Sequence, residues 1–470
     1  MATAAIGAHF WRDDVRPIKR LGNARNPSGK NQYVAVRKSS PPMYSPVDEV
    51  ADVIRKYHSD NPTFKYADYI EALLTDHNIK IGRSKIAKYL TQLGLSTSSR
   101  GNRMPDDEQT QLILDELGND PHQTRGPRVV KEALNLAGHK IGRNKISDVM
   151  HTFEEEGFEK RDPKAQKKTV NRTPLTAVGP HEEWSMDGHD KMNEAGFGIY
   201  GIRDKWGTKF LHYRVLPSNR FADVIGVVFL ECAKKYGGIP IQGSSDHGSE
   251  VRDAHAAQKT LREQFWDDEN ADGIPAWMFL ESTHNITVES GWRPLFYTWG
   301  INVLEFYSAG MNDIFFKPAN YIHQQTCNWI WFPLVQRSLD EFCHRQNNHR
   351  IRKQKDKLLP SGGTPNAFTA NPAKYGGHNC LIKIPADAID KFLDEARETA
   401  REHMRYVDDD FDELACDAYE ALQKPVITLQ TAWVVFRAMT LTLHQYIGEC
   451  SLESLKPSQA ARGNYIEPNE

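Results

Sequence analysis

The sequence predicts a mixed α/β domain in the middle of the chain, with helical regions before and after it. Strand-like alternation of apolar residues begins at residue 181 and gives way to helical spacing after residue 220. A six-residue motif occurs twice before this domain, and each copy precedes a helical pattern. After residue 380 the apolar spacing is again helical. A chain of 470 residues is too long for one ordinary core, so we expect several domains.

The composition is typical of a folded intracellular protein. Hydrophobic residues make up 39% of the chain and charged residues 26%, which excludes a wholly disordered protein. Six cysteines lie far apart, as expected for reduced thiols. No stretch reaches the roughly 18 to 20 apolar residues of a membrane helix, and the N-terminus lacks an apolar signal core. We therefore expect no membrane association and an intracellular, nuclear location.

The net charge of −3 is the sum of two parts of the chain with opposite net charges. Residues 1–180 carry 29 Lys and Arg against 22 Asp and Glu, and residues 181–470 carry 30 against 40. A basic first part and an acidic second part favour phosphate binding by the first part. Residues 1–45 lack periodicity and predict a disordered basic arm, while residues 161–178 are polar and basic and predict a linker.

An internal duplication predicts two helical modules, at residues 46–100 and 104–160. Ile81-Gly-Arg-Ser-Lys-Ile86 recurs as Ile141-Gly-Arg-Asn-Lys-Ile146, and helical spacing follows each copy. The glycines permit a tight turn, and Ser84 and Asn144 have side-chain oxygens able to cap the next helix. Each module therefore contains an upstream helix, a turn and a second helix.

Helix, turn and helix with cations at the start of the second helix is the layout of a helix-turn-helix DNA reader. Arg83 and Lys85 in the first module, and Arg143 and Lys145 in the second, are the candidate DNA contacts. The alternative is that the modules are small helical units that only pack on another part of the protein.

Residues 179–380 predict a five-stranded mixed sheet with flanking helices. The predicted strands are 181–187, 198–207, 210–216, 239–244 and 276–280. The predicted helices are one from Phe221 that ends before Gly237, one at 251–266 and one that begins near Asn285. Three strands, a helix, and then alternating strands and helices is the order of the RNase H-like fold.

Three motifs along this segment resemble those of the integrase catalytic core of retroviral integrases and DDE transposases. They are Trp184-Ser-Met-Asp187-Gly-His, Ser244-Ser-Asp246-His-Gly-Ser-Glu250 and His284-Asn-Ile-Thr-Val-Glu289-Ser-Gly-Trp-Arg293. The segments Asn348-His-Arg350 and Thr364-Pro365 resemble the end of such cores. The resemblance spans about residues 180–380 and is closest to the integrase core domain proteins of fungi and animals, which derive from mobile elements.

The resemblance implies a DNA strand transferase whose catalytic and metal-binding residues are Asp187, Asp246 and Glu289. Carboxylates suit two Mg²⁺ or Mn²⁺ ions, which activate the attacking oxygen and the leaving oxygen of a phosphodiester. Asp187 is expected to bridge both ions. The implied partners are DNA, as element ends and target, and further copies of the chain, with no small-molecule cofactor. His284, Asn285 and Arg350 are further candidate DNA contacts, although helix capping also explains Asn285.

Departures from the family pattern leave a second function open. Ser290 and Gly291 follow Glu289 where relatives carry a cation and an apolar residue, and Pro294 predicts a kink or restart of that helix. These changes favour a domesticated DNA-binding protein that has weak catalytic activity or none. Residues 381–470 predict helices that pack against the core or mediate self-association.

Overall fold

The structure, a computed structural model, describes residues 49–62, 64–95, 104–154, 157–158, 161, 175–266, 273–281, 285–313, 315–355 and 357–449. The predicted arm at 1–45, most of the predicted linker at 161–178, and His284 lie outside these ranges.

The duplicated motif corresponds to two three-helix modules, each with its own apolar core. The first contains α1 (Glu49–Asp60), α2 (Tyr66–His77) and α3 (Arg83–Gln92), and the second contains α4 (Asp106–Leu117), α5 (Pro127–Leu136) and α6 (Arg143–Phe153). Ile86 and Ile146, the equivalent residues of the two motifs, are both fully buried. Each module therefore folds around the apolar face of the helix that follows its glycine turn.

The predicted helix caps are wrong. The residues before α3 and α6 are Gly82 and Gly142, which have extended backbones, and neither helix start has a side-chain cap hydrogen bond. Both helices begin one residue after the glycine, so Ser84 and Asn144 already lie within the first turn. A side chain caps from the residue before the helix, and these two lie two positions after it.

A mixed five-stranded sheet forms the centre of the described structure, in the order β3-β2-β1-β5-β6. Its strands are β1 (Glu183–His189), β2 (Gly198–Asp204), β3 (Phe210–Leu216), β5 (Gln242–Ser245) and β6 (Trp277–Phe279). The first three are antiparallel neighbours, whereas β5 runs parallel to β1 and β6 parallel to β5. The predicted RNase H-like arrangement is confirmed.

Helices cover both faces of this sheet. On one face, Trp184 and Met186 of β1 pack with α7 (Ala222–Tyr236), α8 (Arg252–Phe265) and α13 (Ala386–Met404). On the other, Ile199 and Tyr213 pack with α9 (Ile286–Leu295), a π-helical stretch (Phe296–Gly300), α10 (Ile301–Met311) and α11 (Tyr321–Asn348). Alternating side chains of each strand supply the two cores.

The elements after α11 extend both layers. The short helix α12 (Pro365–Ala370) precedes β7 (Ile382–Lys383), which pairs with β4 (Gly238–Ile239) in a separate two-stranded sheet. The last two helices, α14 (Asp409–Ala421) and α15 (Ala432–Glu449), pack on α11. Within the described ranges, none of the helices combines the length and the apolar character needed to cross a bilayer.

We predict that Gly201→Ala lowers the free energy of unfolding by about 1–3 kcal/mol through overpacking. Gly201 lies opposite Asp187 in the β1–β2 pair, and an added Cβ would stand 2.5 Å from the Tyr213 ring and 2.7 Å from the Trp292 ring. Urea denaturation measures the change. Gly273→Ala is the control, since a Cβ there meets no described atom within 4 Å. Equal stability of the two variants would contradict this packing.

Candidate active site

Asp187 lies near the middle of the sheet, on β1, beneath an aromatic side chain of α9. Its side chain shares a face with Ser185, because strand residues two apart point the same way. Trp292 Nε1 donates a hydrogen bond to Asp187 Oδ2 at 2.8 Å. The Trp292 indole also stacks on His189, with 4.8 Å between the ring centroids. One oxygen of the Asp187 carboxylate is therefore held by an indole donor.

Asp246 follows the last residue of the neighbouring strand β5. The parallel pairing sets Ser185 beside Ser244, and Asp187 and Asp246 each come two residues later. Neighbouring strands are about 4.8 Å apart, so the two carboxylates emerge close together at this level of the sheet. Consistent with this position, the charge of Asp246 raises the pKa of Asp187.

Glu289 lies on α9, which two sets of hydrogen bonds fix to the sheet. At the start of α9, Asn285 accepts from Ser185 Oγ at 2.5 Å and donates to the Met186 carbonyl at 3.1 Å. From β2, Arg203 donates to the Thr287 carbonyl at 2.9 Å and to Ser290 Oγ at 2.8 Å. Glu289 sits one turn beyond Asn285, on the exposed side of α9.

The three carboxylates interact electrostatically. Burial raises the pKa of Asp187 to about 7; the Trp292 hydrogen bond opposes this shift, and the charges of Asp246 and Glu289 add to it. Burial also raises the pKa of Glu289, and the charge of Asp246 raises it further. Their mutual repulsion is relieved when a proton or a cation is present.

Two further side chains belong to this acidic neighbourhood, and sequence reasoning missed both roles. Tyr200 is buried, and its hydroxyl has no hydrogen-bond partner among the described residues. Burial raises its pKa, and the charges of Asp187, Glu250 and Asp246 add to the effect. Glu250, four residues after Asp246, is therefore a fourth carboxylate close to the site. Its position at the end of the motif that begins at Ser244 and contains Asp246 is the signal by which the sequence could have indicated this role.

The three carboxylates suit a hard divalent cation, although their side chains do not form a complete coordination site. All three predicted ligands offer carboxylate oxygens, which Mg²⁺ and Mn²⁺ prefer. Among the described residues, no group of three or more His, Cys, Asp or Glu side chains is placed to hold a metal ion. Binding an ion with this trio therefore requires a carboxylate to move, and the exposed Glu289 has room to do so.

The structure places one candidate DNA contact, Asn285, in the interior of the protein. Asn285 is only 2% exposed, and both ends of its amide are engaged by β1. It does not cap α9 either, since no side-chain cap hydrogen bond forms there. Asn285 instead holds the start of α9 against the strand that carries Asp187.

The remaining described candidates for DNA contact lie on the modules and after α11. Arg83 stacks over the Tyr66 ring at 5.2 Å, and Lys85 is exposed. Lys145 forms an ion pair of 2.6 Å with Asp106, so part of its charge is already compensated. Arg143 and Arg350 line the same cleft, although they are distant in sequence.

We predict that Asp187→Asn stabilises the metal-free protein at pH 8 by about 2 kcal/mol and has a smaller effect at pH 5. The folded pKa of about 7 lies above the ordinary Asp value, so the native state loses stability as pH rises from about 4 to 7. The effect is smaller than a fully buried carboxylate would give, because the side chain is partly exposed to water. Urea denaturation at both pH values measures the gain, with the exposed Asp394→Asn as control. An equal gain at pH 5 and pH 8 would contradict this assignment.

Comparison with known proteins agrees with this geometry. Residues 176–361 match the family model of the integrase core domain, and this range contains Asp187, Asp246 and Glu289. No curated protein matches the chain. Over residues 176–361, the family match and the sheet topology therefore agree on a region that is similar to an integrase core domain.

Proposed function

We propose that the chain is a metal-dependent polynucleotidyl transferase that cuts and joins DNA, with Asp187, Asp246 and Glu289 as its catalytic residues. One observation carries the proposal: at the centre of an integrase core domain, the charges of Asp246 and Glu289 both act on Asp187. A strand, a strand end and a helix supply the three acids, as this chemistry requires.

Asp187 would hold both Mg²⁺ or Mn²⁺ ions, Asp246 one and Glu289 the other. When bound, the ions lower the pKa of the attacking hydroxyl and neutralise charge on the leaving oxygen. The protein supplies rigidity: Asn285 and Arg203 fix α9, and Trp292 orients the Asp187 carboxylate. With the backbone fixed in this way, only side-chain torsions, chiefly that of Glu289, remain to be set when the ions bind.

The reaction requires no external energy source. In cleavage, the oxygen of water attacks phosphorus, the bond from phosphorus to the 3′ oxygen breaks, and the 3′ hydroxyl leaves with a proton. In joining, that hydroxyl attacks a second phosphodiester and displaces its 3′ oxygen. One phosphodiester bond forms for each one broken in the joining step. The substrates would be element ends and target DNA in the nucleus, held by two or more copies of the chain.

A second candidate function is DNA binding by a protein that no longer catalyses cleavage or joining of DNA. The hydrogen bond from Trp292 occupies Asp187 Oδ2, an oxygen that a bridging ligand needs. Ser290, which replaces the cation of relatives, accepts from Arg203 and so serves packing. Both contacts favour a protein in which these residues stabilise the fold and no longer take part in catalysis.

We predict that Asp187→Asn, Asp246→Asn and Glu289→Gln each lower strand transfer by about 1000-fold or more, because each removes a ligand charge. The assay combines purified chain, Mn²⁺ or Mg²⁺, and labelled duplexes carrying the repeats that flank the gene. Asp394→Asn should match the unaltered protein. DNA binding without transfer by the unaltered protein would support the second candidate instead.

We predict that Mn²⁺ affinity, measured by calorimetry, rises as pH passes through about 7, because Asp187 must lose its proton to bind a cation. Asp187→Asn should remove this pH dependence. At pH 8.5, Trp292→Phe should bind Mn²⁺ about fivefold more weakly, because no indole donor then orients the Asp187 carboxylate. Tighter binding by Trp292→Phe at that pH would show that the indole competes for this oxygen, as the second candidate implies.

A further inference from the structure

A basic cleft lies where both helical modules meet the segment after α11. Its volume is about 1040 Å³, and three parts of the chain line it. They are residues 64–68 at the start of α2, residues 128–143 from α5 to the start of α6, and residues 348–375. The catalytic carboxylates are not among its lining residues, so the cleft is separate from the candidate active site.

Cations dominate the lining of this basic cleft. Eight lining side chains are Lys or Arg and two are acidic, Asp68 and Glu132. Arg128 pairs with Glu132, and Lys374 pairs with Asp68 and Glu71. The other six have no acidic partner among the described residues: Lys65, Lys131, Arg143, Arg350, Arg352 and Lys353.

The walls of the basic cleft are fixed to one another. Arg128 of the second module donates to the Arg350 carbonyl, and His349 contacts Glu132 at 2.6 Å. Asn366 donates to the Asp60 carbonyl of the first module at 2.6 Å. These contacts hold the unpaired cations near each other despite their repulsion. A surface that keeps like charges together without internal partners is complementary to a polyanion.

The basic cleft contains more charge than one small anion would neutralise. Six cations that lack an acidic partner in the described part of the chain, spread over three segments, match a run of phosphates along a backbone. Arg143 adds a second indication, because it is the first residue of α6, the second helix of its module. A duplex lying in the cleft would therefore pass the end of that helix, where bare backbone amides favour phosphate.

We propose that the basic cleft binds the phosphate backbone of double-stranded DNA, and that it ties both modules and the integrase core domain to one duplex. This inference rests on the proposed function, since it names how the DNA substrate is held. The cleft supplies affinity that depends little on sequence, while cutting belongs to the acidic site.

The test compares two triple variants of the full chain by fluorescence anisotropy with a labelled duplex at several NaCl concentrations. The cleft variant is Lys131→Gln, Arg352→Gln and Lys353→Gln. The control variant, Lys317→Gln, Lys383→Gln and Lys391→Gln, removes the same charge from exposed positions outside the cleft. Thermal melting confirms that both fold.

We expect the cleft variant to bind at least about tenfold more weakly and to lower the slope of log affinity against log salt by about 2 to 3, since each lost phosphate contact removes about 0.9. The control should stay near the unaltered protein. In the unaltered protein, bound DNA should also protect Lys131 and Lys353 from acetylation more than Lys383. Equal weakening of both variants, or equal acetylation of these lysines, would overturn the proposal.

Failure of this inference and failure of the proposed function look different. If the cleft variant binds normally while Asp187→Asn abolishes strand transfer, the basic cleft is rejected and the function stands. If binding requires the cleft but the unaltered protein transfers no strand with either metal, the cleft stands and the catalytic function is rejected. If the unaltered protein does not bind DNA at low salt, both are rejected.

Discussion

The hydrogen bond from Trp292 to Asp187 joins parts of the chain 105 residues apart, and the arrangement of the acidic site depends on it. It fixes the far half of α9 to β1, while Asn285 fixes the near end. Glu289 lies between these two attachments, so its height above the sheet is set by residues that are not themselves acids. The absence of a Cβ at Gly201 leaves space for the Trp292 ring. Partial burial raises the pKa of the Asp187 carboxyl to about 7, and the Trp292 hydrogen bond opposes that rise.

Local patterns in the sequence predicted most of the core. The bounds of β3, Phe210–Leu216, agree with the alternation of its apolar residues, and α7 begins within one residue of the prediction. Such elements can be predicted because their buried apolar residues recur at a fixed spacing along the chain. The fourth predicted strand is divided into β4 and β5 around Pro240. Pro240 cannot donate to a strand ladder, so the break has a local cause that the apolar pattern alone did not show.

The contacts that support the site could not be predicted from the sequence in the same way. The roles of Gly201, Trp292 and Asn285 depend on partners on other elements, and nothing in their immediate sequence specifies those partners. The predicted caps at Ser84 and Asn144 were wrong for a different reason, since each helix begins two residues earlier than such a cap requires. The cations of the basic cleft come from three distant segments. Only the cluster after residue 350 is visible as a run of charge.

The pairing of β4 with β7 has a consequence for where the folded core ends. The family match stops at residue 361, but Ile382, Ile389 and Leu393, which follow it, are buried in the same apolar cluster as α7. A chain cut at the limit of homology would leave that face of α7 open to water. Exposed apolar surface of this kind promotes aggregation. The segment that matches the family model is therefore shorter than the segment that must fold together in this protein.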